Sequence, residues 1–365
     1  MPRCFGNPRR LMPAARADRQ KLEYRAYRRK FARPFTTGGG VWSAREGIII
    51  KLTDKDGRFG FGEAAPIPSF TGVSAARVLA WLRHAPDELT DAELRRIPAR
   101  LACLGWAIAC ARAMQAGVLT APPRIKSLAT AALLPSGVAA IAAIDQWAGE
   151  GYRVFKWKMG VSSPHEEFTL LEKLLDALPS GGKLRLDANG ALSRREWSAW
   201  CDGLNALGST AAAIEFFEQP LPPATGSPCW REQARLAAVS PVPVALDESV
   251  VGWQGLRSAC SAKWPGPLVV KPALLGDPAK FFKWRGQKRA DLVYSSSFET
   301  SVGIHAALCL AATDPHAGRR ALGFGTLDAF THDGLQLPVH AAGANLALNK
   351  LTSADFVNIW NRLAP

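Results

Sequence analysis

Apolar residues gather in five short runs along the middle of the chain, and each run leads into charged residues. The runs are Val154-Phe155-Lys156-Trp157-Lys158, Leu184-Arg185-Leu186-Asp187-Ala188-Asn189, Phe216-Phe217-Glu218-Gln219-Pro220, Val244-Ala245-Leu246-Asp247-Glu248-Ser249 and Leu268-Val269-Val270-Lys271-Pro272. Nearly continuous apolar character is what a strand buried on both faces requires, so the runs predict parallel strands. Amphipathic stretches of helical length at 166–178, 193–207, 231–239 and 278–288 separate them. Strand and helix in alternation predict βαβ units. Charge is costly inside such a sheet. At the carboxyl ends of strands in a (β/α) barrel, however, it faces the open mouth, where active sites are built.

Upstream the pattern changes. Residues 22–31 alternate like a half-buried strand, Gly38, Gly39 and Gly40 follow, and strands at 47–53 and 59–63 flank a turn at 54–57. With helices at 75–84 and 91–116, the latter interrupted at Pro98, this forms an α+β unit. The barrel is predicted to begin near 127–134, to take 291–297 as its seventh strand and to end near 323–328, eight strands in all. A loop-rich tail after Phe330 closes on a helix at 353–363. The expected division is a basic extension at 1–18, an α+β domain at 19–122, a barrel at 123–330 and a C-terminal segment at 331–365.

A chain of 365 residues, 48% hydrophobic, is long enough for a barrel plus a smaller domain. No apolar run approaches the roughly 18 to 20 residues that cross a bilayer, so no membrane partner is expected. The net charge of +14 raises the question of nucleic acid. The basic residues are scattered and lack a binding motif, which argues against it; a positive surface instead suits an anionic small molecule. No acidic residue precedes Asp18, and the Arg- and Pro-rich start reads as an extension with no core of its own. The seven cysteines show no C-x-x-C spacing and read as free thiols in a reducing, cytoplasmic setting.

Candidate chemistry follows from the run ends. Residues two apart on a strand share a face, so Lys156 pairs with Lys158, and Arg185 and Asn189 join Asp187. Asp187, Glu218 and Asp247, on three consecutive strands, make an all-oxygen set of the kind Mg²⁺ prefers, with Mn²⁺ a possible substitute. A lysine beside another cation gives up its proton more readily, which suits a base near neutral pH. Arg185, Asn189, Ser295 and Ser297 are candidate substrate contacts. Glu248 faces outward by alternation and is expected to support the ligands rather than join them.

The K-x-K at Lys156 and Lys158, D-A-N at Asp187, E-Q-P at Glu218, D-E-S at Asp247 and V-K-P at Lys271 resemble the enolase superfamily, in its muconate-lactonizing-type subgroup. The likeness covers about residues 45–330, and the stretches at 62–68, 270–276 and 295–300 carry it further. It implies a (β/α)7β TIM-like barrel with an α+β capping domain over its mouth, onto which the C-terminal segment returns. It also implies Mg²⁺ chemistry on a carboxylate substrate. The branch most resembled dehydrates the cyclohexadiene carboxylate SHCHC to 2-succinylbenzoate on the menaquinone and phylloquinone route. In that reading Lys158 moves the proton, Lys156 helps keep it neutral, and Lys271 is a fixed charge across the site. The loop at 66–73, with Phe70 and Gly72, resembles the one that closes over the substrate. Related racemases, cycloisomerases and epimerases share the lysines. Dipeptide epimerases carry D-x-D on the eighth strand, where 323–328 offers only Asp328, and no His marks the seventh strand. Oligomeric state is not legible.

Overall fold

The computed structural model describes residues 19–37, 40–94, 96–119, 125–160, 162–286, 290–326, 329–337, 343–348 and 351–364. The expected extension at 1–18, Cys4 and Asp328 lie outside them. Long strands Gln20–Thr37 and Gly40–Thr53 form a hairpin, which Phe59–Ala64 and the short Glu88–Leu89 extend to four antiparallel strands. The run Ile48-Ile49-Ile50 is buried on both faces: Ile48 and Ile50 pack with Leu104, Ala107 and Ala111, while Ile49 joins the barrel-side core with Phe61. Helix Ala102–Gln115 lies so close to the third strand that a Cβ on Gly62 would stand 1.9 Å from the Ala107 carbonyl oxygen. Only glycine permits that approach. The predicted helix at 91–116 is broken, as Pro98 requires, into Asp91–Leu94, a 3₁₀ turn Ala99–Leu101 and Ala102–Gln115.

Downstream, parallel strands Ala132–Leu133, Val154–Lys158, Lys183–Asp187, Ile214–Glu218 and Val244–Ala245 are hydrogen-bonded in sequence. Leu246 bridges to Leu268 and carries the ladder into Leu268–Val270 and Leu292–Tyr294. Ser295 then bridges to Gly323, and Leu322 to Thr130, which returns the ladder to the first strand. Eight strand positions thus close a barrel. Its start corrects the expectation: Ser127–Ala129 is paired antiparallel with Asn345–Ala347, and only from Thr130 does the chain enter the barrel wall.

Phe216, Ala245, Val269 and Val293 fill the barrel interior, and Phe155, Trp157, Leu184, Leu186 and Phe217 pack outward with Leu171, Leu174, Trp197 and Trp200. Capping boxes at Ser163 with Glu166, and at Ser193 with Glu196, start helices Pro164–Asp176 and Arg194–Ala206. Helix Ser301–Thr313 is buried from Ser301 to Ala312, which explains why its sequence carries no amphipathic signal. C-terminal helix Ser353–Asn361 returns to the antiparallel sheet, with the Trp360 ring 5.5 Å from Phe61 and its carbonyl accepting from Arg25 at 2.7 Å. Among the described residues no helix is long and apolar enough to cross a membrane.

Candidate active site

Lys158, Asp187 and Glu218 occupy one register row across three neighbouring strands, at the carboxyl end of each. The row places an ammonium and two carboxylates side by side at the barrel mouth. From two residues deeper, Lys156 reaches up between the acids: its Nζ lies 2.9 Å from Asp187 Oδ2 and 2.7 Å from Glu218 Oε1. Lys158 Nζ shares Asp187 Oδ2 at 3.0 Å and also donates to Asn189 Oδ1 at 2.8 Å. Lys271, following the sixth strand, ion-pairs with Asp247, following the fifth. Strands two and six stand four apart in a ring of eight, so Lys158 and Lys271 approach the mouth from opposite walls.

Burial and charge split the acids. Burial pushes the Asp187 carboxyl up, but the Lys156 and Lys158 ammoniums outweigh it and hold the group well below the usual carboxylate range. Glu218 is pushed up to about 7 by burial, with Lys156 opposing and Asp187 and Asp247 reinforcing the shift. Glu248 is pushed up to about 8, first by burial and then by Asp247 and Asp187. Burial alone would lower Lys156, yet Asp187, Glu218 and Asp247 keep its ammonium well above the ordinary lysine value. Four carboxyl groups, Asp187, Glu218, Asp247 and Glu248, thus share this mouth with three lysines, Lys156, Lys158 and Lys271.

Gln219 went unnoticed in the sequence and is central to the site. It is fully buried with φ +40°, and its side chain accepts from the backbone N–H groups of Asp247 and Ser249, both at 3.1 Å, while donating to Leu221 O and Ser249 Oγ at 2.8 Å. One amide thus fixes the end of the fourth strand to the end of the fifth, setting Glu218 and Asp247 relative to each other. The E-Q-P and D-E-S motifs contain both halves of this link, but nothing in their spacing reveals the pairing.

Four sequence-based placements change in the structure. Arg185 shares a face with Asp187 but not a depth: it pairs with Glu215 at 2.7 Å and donates to Ala321 O at 2.8 Å, and Arg320 joins Glu215 to Asp291. These partners lie at the amino-terminal ends of the strands, so Arg185 seals the barrel floor and does not reach substrate. Asn189, at φ +48°, spans Lys158 and Glu248 Oε1 (3.1 Å), which makes it a brace for the lysine. Glu248 does not face outward by strand alternation: the fifth strand ends at Ala245, and a 3₁₀ turn, Glu248–Val250, brings Glu248 back beside the acids. Ser295 and Ser297 lie beyond the seventh strand, which stops at Tyr294. Ser295 Oγ donates to Gly323 O at 3.0 Å within the wall, whereas Ser297 Oγ is buried with no hydrogen-bond partner.

Over the mouth, the 66–73 loop forms a short helix Pro68–Thr71 ended by Gly72 at φ +66°. It sets the Phe70 ring 4.8 Å from Lys271 Nζ.

The donor set fits a hard divalent cation. It is all carboxylate oxygen, and it leaves the buried Glu248 Oε2 without a hydrogen-bond partner. Among the described residues, no three such side chains stand grouped as a ready-made cage. Three acids in one buried space require cations, and here Lys156 and Lys271 stand among them.

Similarity to known proteins agrees with this geometry. Residues 139–336 match the family described as enolase C-terminal domain-like. The chain is 37% identical over 307 residues to an o-succinylbenzoate synthase from Thermosynechococcus vestitus, covering 84% of this chain and 92% of that protein. It superposes with a TM-score of 0.79, at 33% identity, on the o-succinylbenzoate synthase of Thermosynechococcus elongatus BP-1 solved with Mg in the active site, over 94% of this chain and 100% of that one. An N-succinyl Arg/Lys racemase from Bacillus cereus shares the fold, with a TM-score of 0.78 at 18% identity over 96% of this chain and 98% of its own. A Mg-type acid set on consecutive barrel strands, flanked by opposed lysines, defines an enolase-superfamily enzyme. Within that superfamily the chain belongs to the o-succinylbenzoate synthase family of lyases.

Proposed function

We propose that this chain dehydrates SHCHC to 2-succinylbenzoate in quinone biosynthesis, with Asp187, Glu218 and Asp247 holding Mg²⁺. The observation that carries the reading is the row of Lys158, Asp187 and Glu218 at the mouth, continued by Asp247 and faced by Lys271. When bound, Mg²⁺ supplies positive charge opposite the substrate carboxylate as the proton leaves. Lys158 takes the proton from the carbon bearing that carboxylate, then returns it to the hydroxide departing from the neighbouring carbon on the same face, and water is released. Asn189 aims Lys158. Lys156 keeps a positive charge between Asp187 and Glu218. Lys271 stands over the opposite face as a fixed cation. Ser297, whose buried hydroxyl has no partner, is assigned to the succinyl carboxylate. Residues 19–122 together with helix Ser353–Asn361 are assigned to one capping unit over the barrel, supported by the seat of that helix on the antiparallel sheet, whereas Asn345–Ala347 pairs with Ser127–Ala129 at the start of the barrel. The six described cysteines, all free, support a reducing compartment such as the cytoplasm.

Racemisation of N-succinylamino acids needs a proton delivered from the opposite face, and Lys271 is placed to deliver it. Lys271→Arg separates the two reactions, because guanidinium keeps the charge and does not give up a proton. The expected result is measurable 2-succinylbenzoate formation with racemase turnover reduced about 10²- to 10⁴-fold, the worth of a positioned acid or base. Steady-state assays of both reactions check it. Equal loss of both, in protein that remains folded and binds Mg²⁺, contradicts a purely electrostatic Lys271.

A further inference from the structure

Arg45 belongs to the antiparallel sheet, and its side chain is buried at 4% exposure. Its guanidinium forms hydrogen bonds with four backbone carbonyls. Nε donates to Ser297 O at 3.0 Å, Nη2 to Ala65 O at 2.7 Å, and Nη1 to Glu46 O at 2.9 Å and to Pro66 O. Ala65 and Pro66 are the root of the loop that carries Phe70 to Lys271, and Ser297 follows the seventh barrel strand. One planar group therefore fastens a sheet-domain loop and a barrel loop to the same point.

The rest of the 297–300 segment is gripped from the same sheet. Arg29 Nη1 donates to Glu299 O at 3.1 Å. The buried Glu63 accepts from Thr300 N at 3.0 Å and Gly303 N at 2.9 Å, and Tyr27 donates to it at 2.5 Å. Phe298 sits at φ +59°, a conformation that a bulky residue keeps only when its surroundings impose it. The barrel segment holding Ser297 thus takes its shape from the sheet domain. Arg45 is the group among these holders that also binds the Phe70 loop.

We propose that Arg45 is a positioning residue for substrate: it couples the Phe70 loop to Ser297, so that both meet the bound molecule in one arrangement. The inference rests on the proposed substrate site. It predicts that loosening Arg45 weakens substrate binding more than it slows chemistry, since neither Lys158 nor the acids touch it. Lysine keeps the charge but cannot direct donors to carbonyls on three segments at once.

The test compares wild type, Arg45→Lys, Ser297→Ala and the double variant in steady-state dehydration of SHCHC, with Mg²⁺ affinity measured by calorimetry. Arg45→Lys is expected to raise KM about 10- to 100-fold, the scale of a misplaced binding contact, with kcat changed much less. Its effect should shrink in the Ser297→Ala background, and Mg²⁺ affinity should be retained. Unchanged KM, full additivity with Ser297→Ala, or parallel loss of Mg²⁺ overturns the assignment. Hydrogen exchange on the wild-type protein needs no variant to fold. Adding 2-succinylbenzoate should protect amides in 69–73 and 296–300 together, and protection of one segment alone overturns the coupling. Wild-type inactivity on SHCHC contradicts the proposed function itself, whereas an active wild type with an unaffected Arg45→Lys contradicts only the role of Arg45.

Discussion

Lys158→Ala should abolish dehydration, lowering turnover by about 10³-fold or more, near the upper range for removal of a positioned acid or base. The loss has a single cause in the proposed mechanism: one nitrogen serves both as acceptor of the carbon-bound proton and as its donor to the departing hydroxide. Stability should change little, because Lys158 lies at the mouth and contributes its contacts to Asp187 and Asn189 rather than to the apolar core. Circular dichroism on the variant should match wild type, and Mg²⁺ binding should be retained. A folded, Mg²⁺-binding Lys158→Ala enzyme with wild-type turnover would falsify the assignment.

Asp247→Asn should fail in a different way, losing metal and activity together. The substitution preserves shape, and the backbone N–H of residue 247 can still donate to Gln219. What disappears is a charge that pairs with Lys271 and completes the acid set. Mg²⁺ affinity should fall by more than the roughly 10- to 100-fold associated with changing a hydrogen-bond partner of a ligand. Excess Mg²⁺ should recover part of the rate, which it cannot do for Lys158→Ala. Calorimetric titration and rate measurement across a Mg²⁺ series check both statements. Wild-type Mg²⁺ affinity in Asp247→Asn would remove Asp247 from the ligand set.

The barrel and its charged rim were legible because two periodicities state them directly: continuous apolar runs for doubly buried strands, and charge where each run reaches the mouth. The same logic misplaced Arg185. Alternation reports which face a side chain takes and not its depth, and two residues, about 6.6 Å along a strand, separate the floor from the mouth. Ser297, Asn189 and Glu248 lie where strands have ended and chain direction is set by turns. Asn189 and Gln219 are in left-handed backbone that alternation does not describe. Gln219 and Arg45 were invisible for another reason. Each satisfies backbone groups of segments distant in sequence, and a buried amide or guanidinium leaves no periodic trace. The start of the barrel was blurred because Ser127–Ala129 is a genuine strand, only one that pairs with Asn345–Ala347.

The most direct test is conversion of SHCHC by the purified wild-type chain, followed as 2-succinylbenzoate formed, with Mg²⁺, after chelation, and after Mg²⁺ is restored. The expected result is catalytic formation of the aromatic product that stops on chelation and resumes with the metal. A folded, Mg²⁺-replete protein that leaves SHCHC unchanged while racemising N-succinylamino acids would contradict the account.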